Sequence, residues 1–419
     1  EHGYILHQPD EKRPACRPLR TAPAYDRQKA LGAQFGCVNG WERPNYYGPL
    51  DAPDSFDHDA RSFRRGGWWQ YAVEEARAIR EGVGLIDASA FAKHRVTGPG
   101  ATAFLDRFTC NKLPKVGRIN LTYALTDHGT VRTEYTIVRL AEDDYYLVSA
   151  GAWHAYDGDH LTKAAADFRA AGGDYVTVQD VTTQWGVFAI AGPKTRDVLG
   201  ALVRDAEPDT VLSNKRFPWL SMREIELGMC PVRAIRVAYT GELGWELHHP
   251  VEMQNYLWDR LMEAGAPHGM KPVGARAQNW LRQEKSYRAF GNELGRDATP
   301  LEAGLDRFVD LSKEFLGKAA MEETGVRSAC VTLRIDGPED ADPWGREALY
   351  LPDGTRVGRL TSGGYSVAFR QSIGMGYVRP DLAVEGTVLK VRIMGDLWDA
   401  TVTADSPYDP VNATIRADG

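Results

Sequence analysis

The chain has 419 residues, a net charge of −7 and no apolar run approaching the ~18–20 residues of a membrane-spanning helix. At about 150 residues per domain this predicts about three domains, with ample chain to bury a core unaided. The acidic balance argues against a general nucleic-acid or anionic-membrane binder and leaves room for a local basic pocket.

Residues 1 to about 60 are rich in Pro, Gly, Tyr and Trp and lack helical periodicity. The run Gly40-Trp41-Glu42-Arg43-Pro44-Asn45-Tyr46-Tyr47 predicts an irregular segment that packs on a neighbour. From Trp68 to about Glu81 the apolar spacing of Tyr71, Ala72, Ala76 and Ile79 predicts a helix, ended by Gly82 and Gly84. A strand from Lys93 to Thr97, the turn Gly98-Pro99-Gly100 and a helix from Ala101 to Phe108 follow. The same pattern returns as a strand from Val187 to Ala191, Gly192-Pro193 and a helix from Lys194 to Leu202, so the chain reads as a diverged internal duplication. Between the copies, Leu121 to Leu125, Asp127-His128-Gly129 and Val131 to Leu140 predict a hairpin. A second hairpin is expected from Val232 to Tyr239, through Thr240–Gly244, into Trp245 to His248. Helices are expected from Met253 to Ala264 and from Ala275 to Lys285. Beyond about Lys318, runs at Ala329 to Ile335, Val357 to Ser362, Ile373 to Val378, Val388 to Ile393 and Asp399 to Ala404 predict a small β-barrel or sandwich.

Several chemistries are not indicated. Five scattered cysteines without CxxC suggest neither a disulfide framework nor a zinc ribbon, and fit a reducing compartment: the cytoplasm, or the mitochondrial matrix in a eukaryote. The histidines form no HExxH, His248 and His249 point to opposite faces of a strand, and no metal site is expected. Gly98-Pro99-Gly100-Ala101-Thr102-Ala103 fits GxGxxA, but the acidic residue expected about 20 positions on is missing, so it reads as a tight strand-to-helix turn. The first residue is Glu1 and no signal peptide is present, which reads as a processed or partial chain.

Three places could carry chemistry. Glu134 shares a strand face with Thr136 and Val138, while Tyr135 and Ile137 take the other. A strand apolar on both faces would desolvate that carboxylate and raise its pKa toward acid–base use; the alternative is an edge-strand Glu in solvent. Tyr239 and Glu246 flank one turn and can converge on a ligand, the carboxylate suiting a ring N–H beside an exocyclic amine. The alternative is a packed Tyr and a solvated Glu. Arg276 and Arg282 are six apart, about 600° of helical rotation, so they do not share a face.

Taken in order, the sequence resembles the folate-binding, aminomethyltransferase-type (T-protein-like) region of dimethylglycine and sarcosine dehydrogenases and oxidases. The resemblance rests on Arg20-Thr21-Ala22-Pro23, Gly40-Trp41-Glu42-Arg43-Pro44, Asn111-Lys112-Leu113-Pro114, Gly129-Thr130-Val131-Arg132-Thr133-Glu134, Tyr239-Thr240-Gly241-Glu242-Leu243-Gly244-Trp245-Glu246, Leu281-Arg282-Gln283-Glu284-Lys285, Thr361-Ser362-Gly363-Gly364 and Tyr408-Asp409-Pro410. It covers essentially the whole chain.

The resemblance implies an α+β, T-protein-like fold with duplicated αβ units around a central channel and a C-terminal β-barrel. The implied parts are an adaptor segment at 1–60, a folate-binding domain at 61–315 and the barrel at 316–419. It implies tetrahydrofolate as cofactor, Glu134 as the proton-transfer carboxylate where many members have Asp, and Tyr239 assisting. Glu246 would grip the pterin, with Arg282, then Arg276, and Asn111 as further cofactor contacts. The implied reaction captures the methylene group of an oxidised N-methyl amine as 5,10-methylenetetrahydrofolate. FAD would sit on an upstream domain or partner subunit, not in this chain, which carries no flavin fingerprint. A stand-alone tetrahydrofolate-dependent demethylase and a non-catalytic folate-binding module are the competing readings.

Overall fold

The computed structural model describes residues 17–50 and 62–418. Glu1, Cys16 and the boundary expected near residue 60 lie outside the described residues. In chain order the elements are α1 (Tyr25–Ala30), β1 (Ala33–Val38), β2 (Trp41–Tyr47), α2 (Trp68–Glu81), β3 (Gly84–Asp87), β4 (Ala92–Thr97), α3 (Ala101–Phe108), β5 (Ile119–Leu125), β6 (Val131–Ala141) and β7 (Asp144–Ser149). Then come α4 (His154–Ala170), β8 (Thr177–Asp180), β9 (Trp185–Ala191), α5 (Thr195–Gly200), β10 (Val203–Arg204), α6 (Pro208–Val211), β11 (Met222–Leu227), β12 (Cys230–Ile235), β13 (Gly244–Pro250), α7 (Gln254–Gly265), β14 (Lys271–Pro272) and α8 (Ala275–Glu284). After α9 (Lys318–Thr324), the chain continues as β15 (Ala329–Ile335), β16 (Ala348–Tyr350), β17 (Arg356–Ser366), β18 (Gln371–Val378), β19 (Val388–Ile393) and β20 (Asp396–Val402).

Two sheets and a barrel carry the structure. One sheet has five antiparallel strands in the order β5-β6-β7-β4-β8. The other has seven in the order β10-β11-β12-β13-β9-β3-β14, antiparallel except for the β14–β3 pair. Ile119, Val138, Tyr146 and Ile235 form a core where the two meet. The β15-β18-β17-β16-β19-β20 barrel closes on itself, leaving no sheet edge there. It has one strand more than expected, because β16 is only three residues long.

The duplicated turn is visible in backbone geometry. Gly98 after β4 and Gly192 after β9 both have left-handed φ, +114° and +131°, and each carbonyl accepts the N–H three residues on as a helix starts. The flanking strands pair antiparallel, so the Gly98 turn is not part of a parallel dinucleotide-binding unit.

Two differences from expectation have local causes. The first is in the segment expected to be an adaptor, where β1 and β2 form a hairpin, with a register shift at Gln34/Phe35, through Asn39 and Gly40, both with positive φ, as a tight two-residue turn requires. Pro44 is tolerated because β2 belongs to a two-stranded ribbon. This hairpin lies on its own chain: Glu75 of α2 accepts the N–H of Tyr47 at 2.6 Å and that of Gly274, before α8, at 2.8 Å. The second concerns β12, which ends at Ile235 rather than Tyr239. The Val237 N–H folds back onto the Ile235 carbonyl at 3.0 Å, releasing the segment that follows from the sheet.

Candidate functional site

Glu134 lies on β6 opposite Tyr123 of β5. Its face and the Tyr135–Ile137 face are both occupied by protein, since Tyr135 and Ile137 belong to the core under α3 and α4. Burial pushes its carboxyl up to about 8; Glu293's negative charge adds to this and Arg282 opposes it. The residue is mostly but not completely buried. A carboxyl that exchanges its proton near neutral pH is suited to acid–base work.

Arg282 of α8 and Glu293 form an ion pair at 2.7 Å with neither side chain exposed. The guanidinium also donates to Asn279 Oδ1, the Tyr287 carbonyl and Ser362 Oγ. All five of its N–H bonds are thus committed within the protein. Among the described residues, Arg282, expected as a cofactor contact, is a buried charge whose donors all meet internal acceptors. Glu293 also accepts from Thr361, Ser362 and the Ala289 N–H. Burial would push its carboxyl up, but Arg282 and those hydroxyls hold it below the usual range.

Tyr239 donates its hydroxyl to the Arg288 carbonyl at 2.8 Å and stacks on Tyr287 with ring centres 5.9 Å apart. Burial raises its phenol; Arg282 lowers it, while Glu134 and Glu293 raise it further. Glu134, Tyr239, Arg282 and Glu293 therefore occupy one electrostatic neighbourhood, built from β6, the segment after β12, α8 and the loop beyond it.

Tyr239 also walls a narrow cleft together with Ala88, Ala189, Ala191, Ala238 and Glu246. Small side chains leave the slot between β3, β9 and the released segment. Glu246 stands on β13, in register between Ile235 and Ala189. His248, two residues along and hence on the same face, lies 3.2 Å from a Glu246 oxygen through Nε2. Its Nδ1 lies 3.0 Å from the Tyr146 hydroxyl. Thr240 also lines the cleft, and its buried Oγ1 has no hydrogen-bond partner among the described residues.

The remaining expected contacts lie elsewhere. Arg276 stacks its guanidinium 3.7 Å over Trp68 of α2, and burial lowers its pKa to about 10. Asn111 binds locally: its Nδ2 donates to the Leu121 carbonyl and its Oδ1 accepts the Lys112 N–H, tying the loop after α3 to β5. A larger cleft of about 660 Å³, lined by Phe104, Arg107, Phe108, Arg132, His160 and Arg296 among others, contains neither Glu134, Tyr239 nor Glu246. Glu293 and His248 had no place in the sequence-based site. Glu293 reaches it only through tertiary packing, whereas the i,i+2 spacing of Glu246 and His248 was a readable signal.

Residues 24–313 match a family profile described as "GCVT N-terminal domain", and residues 329–409 match "Glycine cleavage T-protein C-terminal barrel domain". The chain belongs to the glycine cleavage T-protein family. Mitochondrial dimethylglycine dehydrogenase of Mus musculus is 34% identical over 99% of this chain and 47% of its own length. The aminomethyltransferase of Cutibacterium acnes is 31% identical over 92% of this chain and 97% of its own. The crystal structure of glycine cleavage system aminomethyltransferase T from Bartonella henselae superposes with a TM-score of 0.78 at 26% identity, covering 94% of this chain and 99% of that one. The T-protein-like α+β fold with its C-terminal barrel is thus established. The chain spans about half the length of the dimethylglycine dehydrogenases it matches. Among the described residues no helix is long and apolar enough to cross a membrane.

Proposed function

We propose that this T-protein-family chain binds tetrahydrofolate in the Tyr239–Glu246 cleft and transfers to it the one-carbon unit released when an N-methyl amine of the dimethylglycine or sarcosine type is oxidised. The oxidation belongs to a FAD-bearing upstream domain or partner subunit, as the half-length match to dimethylglycine dehydrogenase suggests.

The residues suit the group. Glu246 can accept from adjacent N–H groups along one edge of a flat ring, and Thr240 Oγ1 has hydrogen-bonding capacity to spare; the cleft between them is about 10 Å³ and must widen to admit the ring. Bound folate supplies the nucleophilic nitrogens that take up the carbon, giving 5,10-methylenetetrahydrofolate. Glu134 holds or removes the proton displaced as the C–N bond forms, helped by a carboxyl that titrates at about 8. Tyr239, its own proton committed to the Arg288 carbonyl, presents hydroxyl lone pairs and fixes one wall. Burial of these groups limits loss of the reactive carbon to water.

The observation that carries this reading is the shared electrostatic neighbourhood of Glu134 and Tyr239 beside a cleft ending at Glu246. Calorimetry with tetrahydrofolate on wild type and Glu246→Ala tests it: undiminished affinity in the variant would remove the pterin assignment. A stand-alone folate-dependent transferase is the second reading, favoured by the near full-length match to the aminomethyltransferase of C. acnes. A yellow partner co-purifying with the chain decides for the first.

A further inference from the structure

The strongest unassigned feature lies away from the cleft, at the far edge of the five-stranded sheet. His94 on β4 pairs in register with Asp180 on β8. His154, the first residue of α4, lies over them, its ring centre 5.9 Å from that of His94. One ligand atom from each of His94, His154 and Asp180 lies within 4.8 Å of the other two.

His94 makes the arrangement more than a surface ion pair. It is 1% exposed, and neither ring nitrogen has a hydrogen-bond partner among the described residues. A buried imidazole usually satisfies at least one nitrogen, so an unpaired one facing a His and an Asp calls for an occupant. Room is kept for the ring by Gly158, one turn along α4 from His154, where a Cβ would lie 3.0 Å from His94 Nε2.

The other two groups already meet each other. His154 Nε2 lies 2.7 Å from Asp180 Oδ2, and Thr182 Oγ1 is 3.1 Å from the same nitrogen. Thr182 N–H fixes the other Asp180 oxygen at 2.9 Å. A cation would take the place of the His154–Asp180 contact, while the Thr182 N–H still holds the second Asp180 oxygen. The site opens to solvent on one side, where the Asp180 side chain is 52% exposed, so an ion can enter.

We propose that His94, His154 and Asp180 bind a zinc-class divalent cation that clamps the start of α4 to β4 and β8. Two imidazoles and one carboxylate favour Zn²⁺, Co²⁺ or Ni²⁺ over Mg²⁺ and Ca²⁺, which prefer all-oxygen sets. Three protein ligands leave a fourth position for water. The role is structural: α4 also carries Asp157, which accepts from Thr133 and Ser149, so the ion would seat this helix on the sheet that presents Glu134. The three ligands are scattered along the chain, and only the β4–β8 register and the approach of α4 assemble them.

The test uses the whole chain stripped with chelator, dialysed and titrated with Zn²⁺, with bound metal counted by elemental analysis and Co²⁺ uptake followed by its visible spectrum. One tight equivalent is expected, together with a metal-dependent rise in melting temperature. His154→Ala and Asp180→Asn, nearer solvent than His94, should each weaken binding by more than about 100-fold and abolish that rise. His94→Gln should do the same; if it does not fold, the other two variants decide. A wild-type chain that takes up no Zn²⁺, binding unchanged in both accessible variants, or displacement of Zn²⁺ by equimolar Mg²⁺ overturns the proposal.

Discussion

His248 and Glu246 form a directed pair: the imidazole Nε2–H donates to the carboxylate at 3.2 Å, while Nδ1 accepts the Tyr146 hydroxyl at 3.0 Å. Burial lowers the His248 pKa and raises that of Tyr146, so the ring stays neutral and the phenol keeps its proton. With Tyr146 as the donor, only the Nε2–H tautomer satisfies both bonds. The pair fixes the carboxylate that faces the cleft.

The first prediction follows from that geometry. His248→Phe removes the donor and should weaken tetrahydrofolate binding about tenfold, ~1.4 kcal/mol, by calorimetry. His248→Gln keeps an N–H at similar reach and should recover most of the loss. Equal loss in both variants would mean the histidine acts through packing alone.

Glu134 yields a pH signature. Its carboxyl titrates at about 8, so the basic form grows as pH rises through that value. Transfer from formaldehyde to tetrahydrofolate should rise from pH 7 to pH 9, and Glu134→Gln should abolish the rise and lower turnover by about 10²–10⁴-fold. The same shift has the opposite sign for stability. A carboxyl whose folded pKa lies above its unfolded value contributes stability that is full below the unfolded pKa and is lost as pH rises through about 8. Activity and folding stability should therefore move in opposite directions across neutral pH.

The Arg282–Glu293 pair gives a second lever on the same titration. Glu293 raises the Glu134 pKa through its negative charge. Glu293→Gln should shift the rise of the rate profile to lower pH. It also leaves Arg282 buried without its anion, which should cost about 3–5 kcal/mol of stability in denaturant melts. A stability loss with an unmoved profile would show that Glu293 matters to the fold and not to the reacting carboxyl.

Local signals carried much of this structure. Trp68–Glu81 and Ala101–Phe108 are helices over the spans that their apolar spacing and flanking glycines mark. Alternation along a hairpin strand places Glu134 and Glu246 on their faces, whereas Tyr239 lies in the segment released after β12 and its direction has no such signal. The Asn39-Gly40 turn was equally readable, yet the Pro and aromatic content around it masked the β1–β2 hairpin. Arg282 stands out by its place in a motif, but its pairing with Glu293 and Ser362 had no sequence signal. Such pairings join residues far apart in the chain and leave no local pattern.

Glu75 supplies the last prediction. It is almost fully buried on α2, and its two oxygens accept the N–H groups of Tyr47 and Gly274, joining β2 to the start of α8. Burial pushes its carboxyl up to about 8, and the two N–H bonds pull it part of the way back. Glu75→Gln must turn an amide N–H₂ toward one of these backbone donors, leaving that donor unsatisfied. The expected loss is about 1–3 kcal/mol by denaturant unfolding. Glu75→Ala leaves both donors unpaired and opens a gap between β2 and α8, so its loss should be larger. Because α8 carries Gln278 into the cleft and Arg282 beneath Glu134, either change should also weaken tetrahydrofolate binding. If Glu75→Ala matches wild type in both measurements, the hairpin is not clasped through this carboxylate, and its seat on the chain must depend on the surrounding apolar contacts of Tyr46 and Trp280.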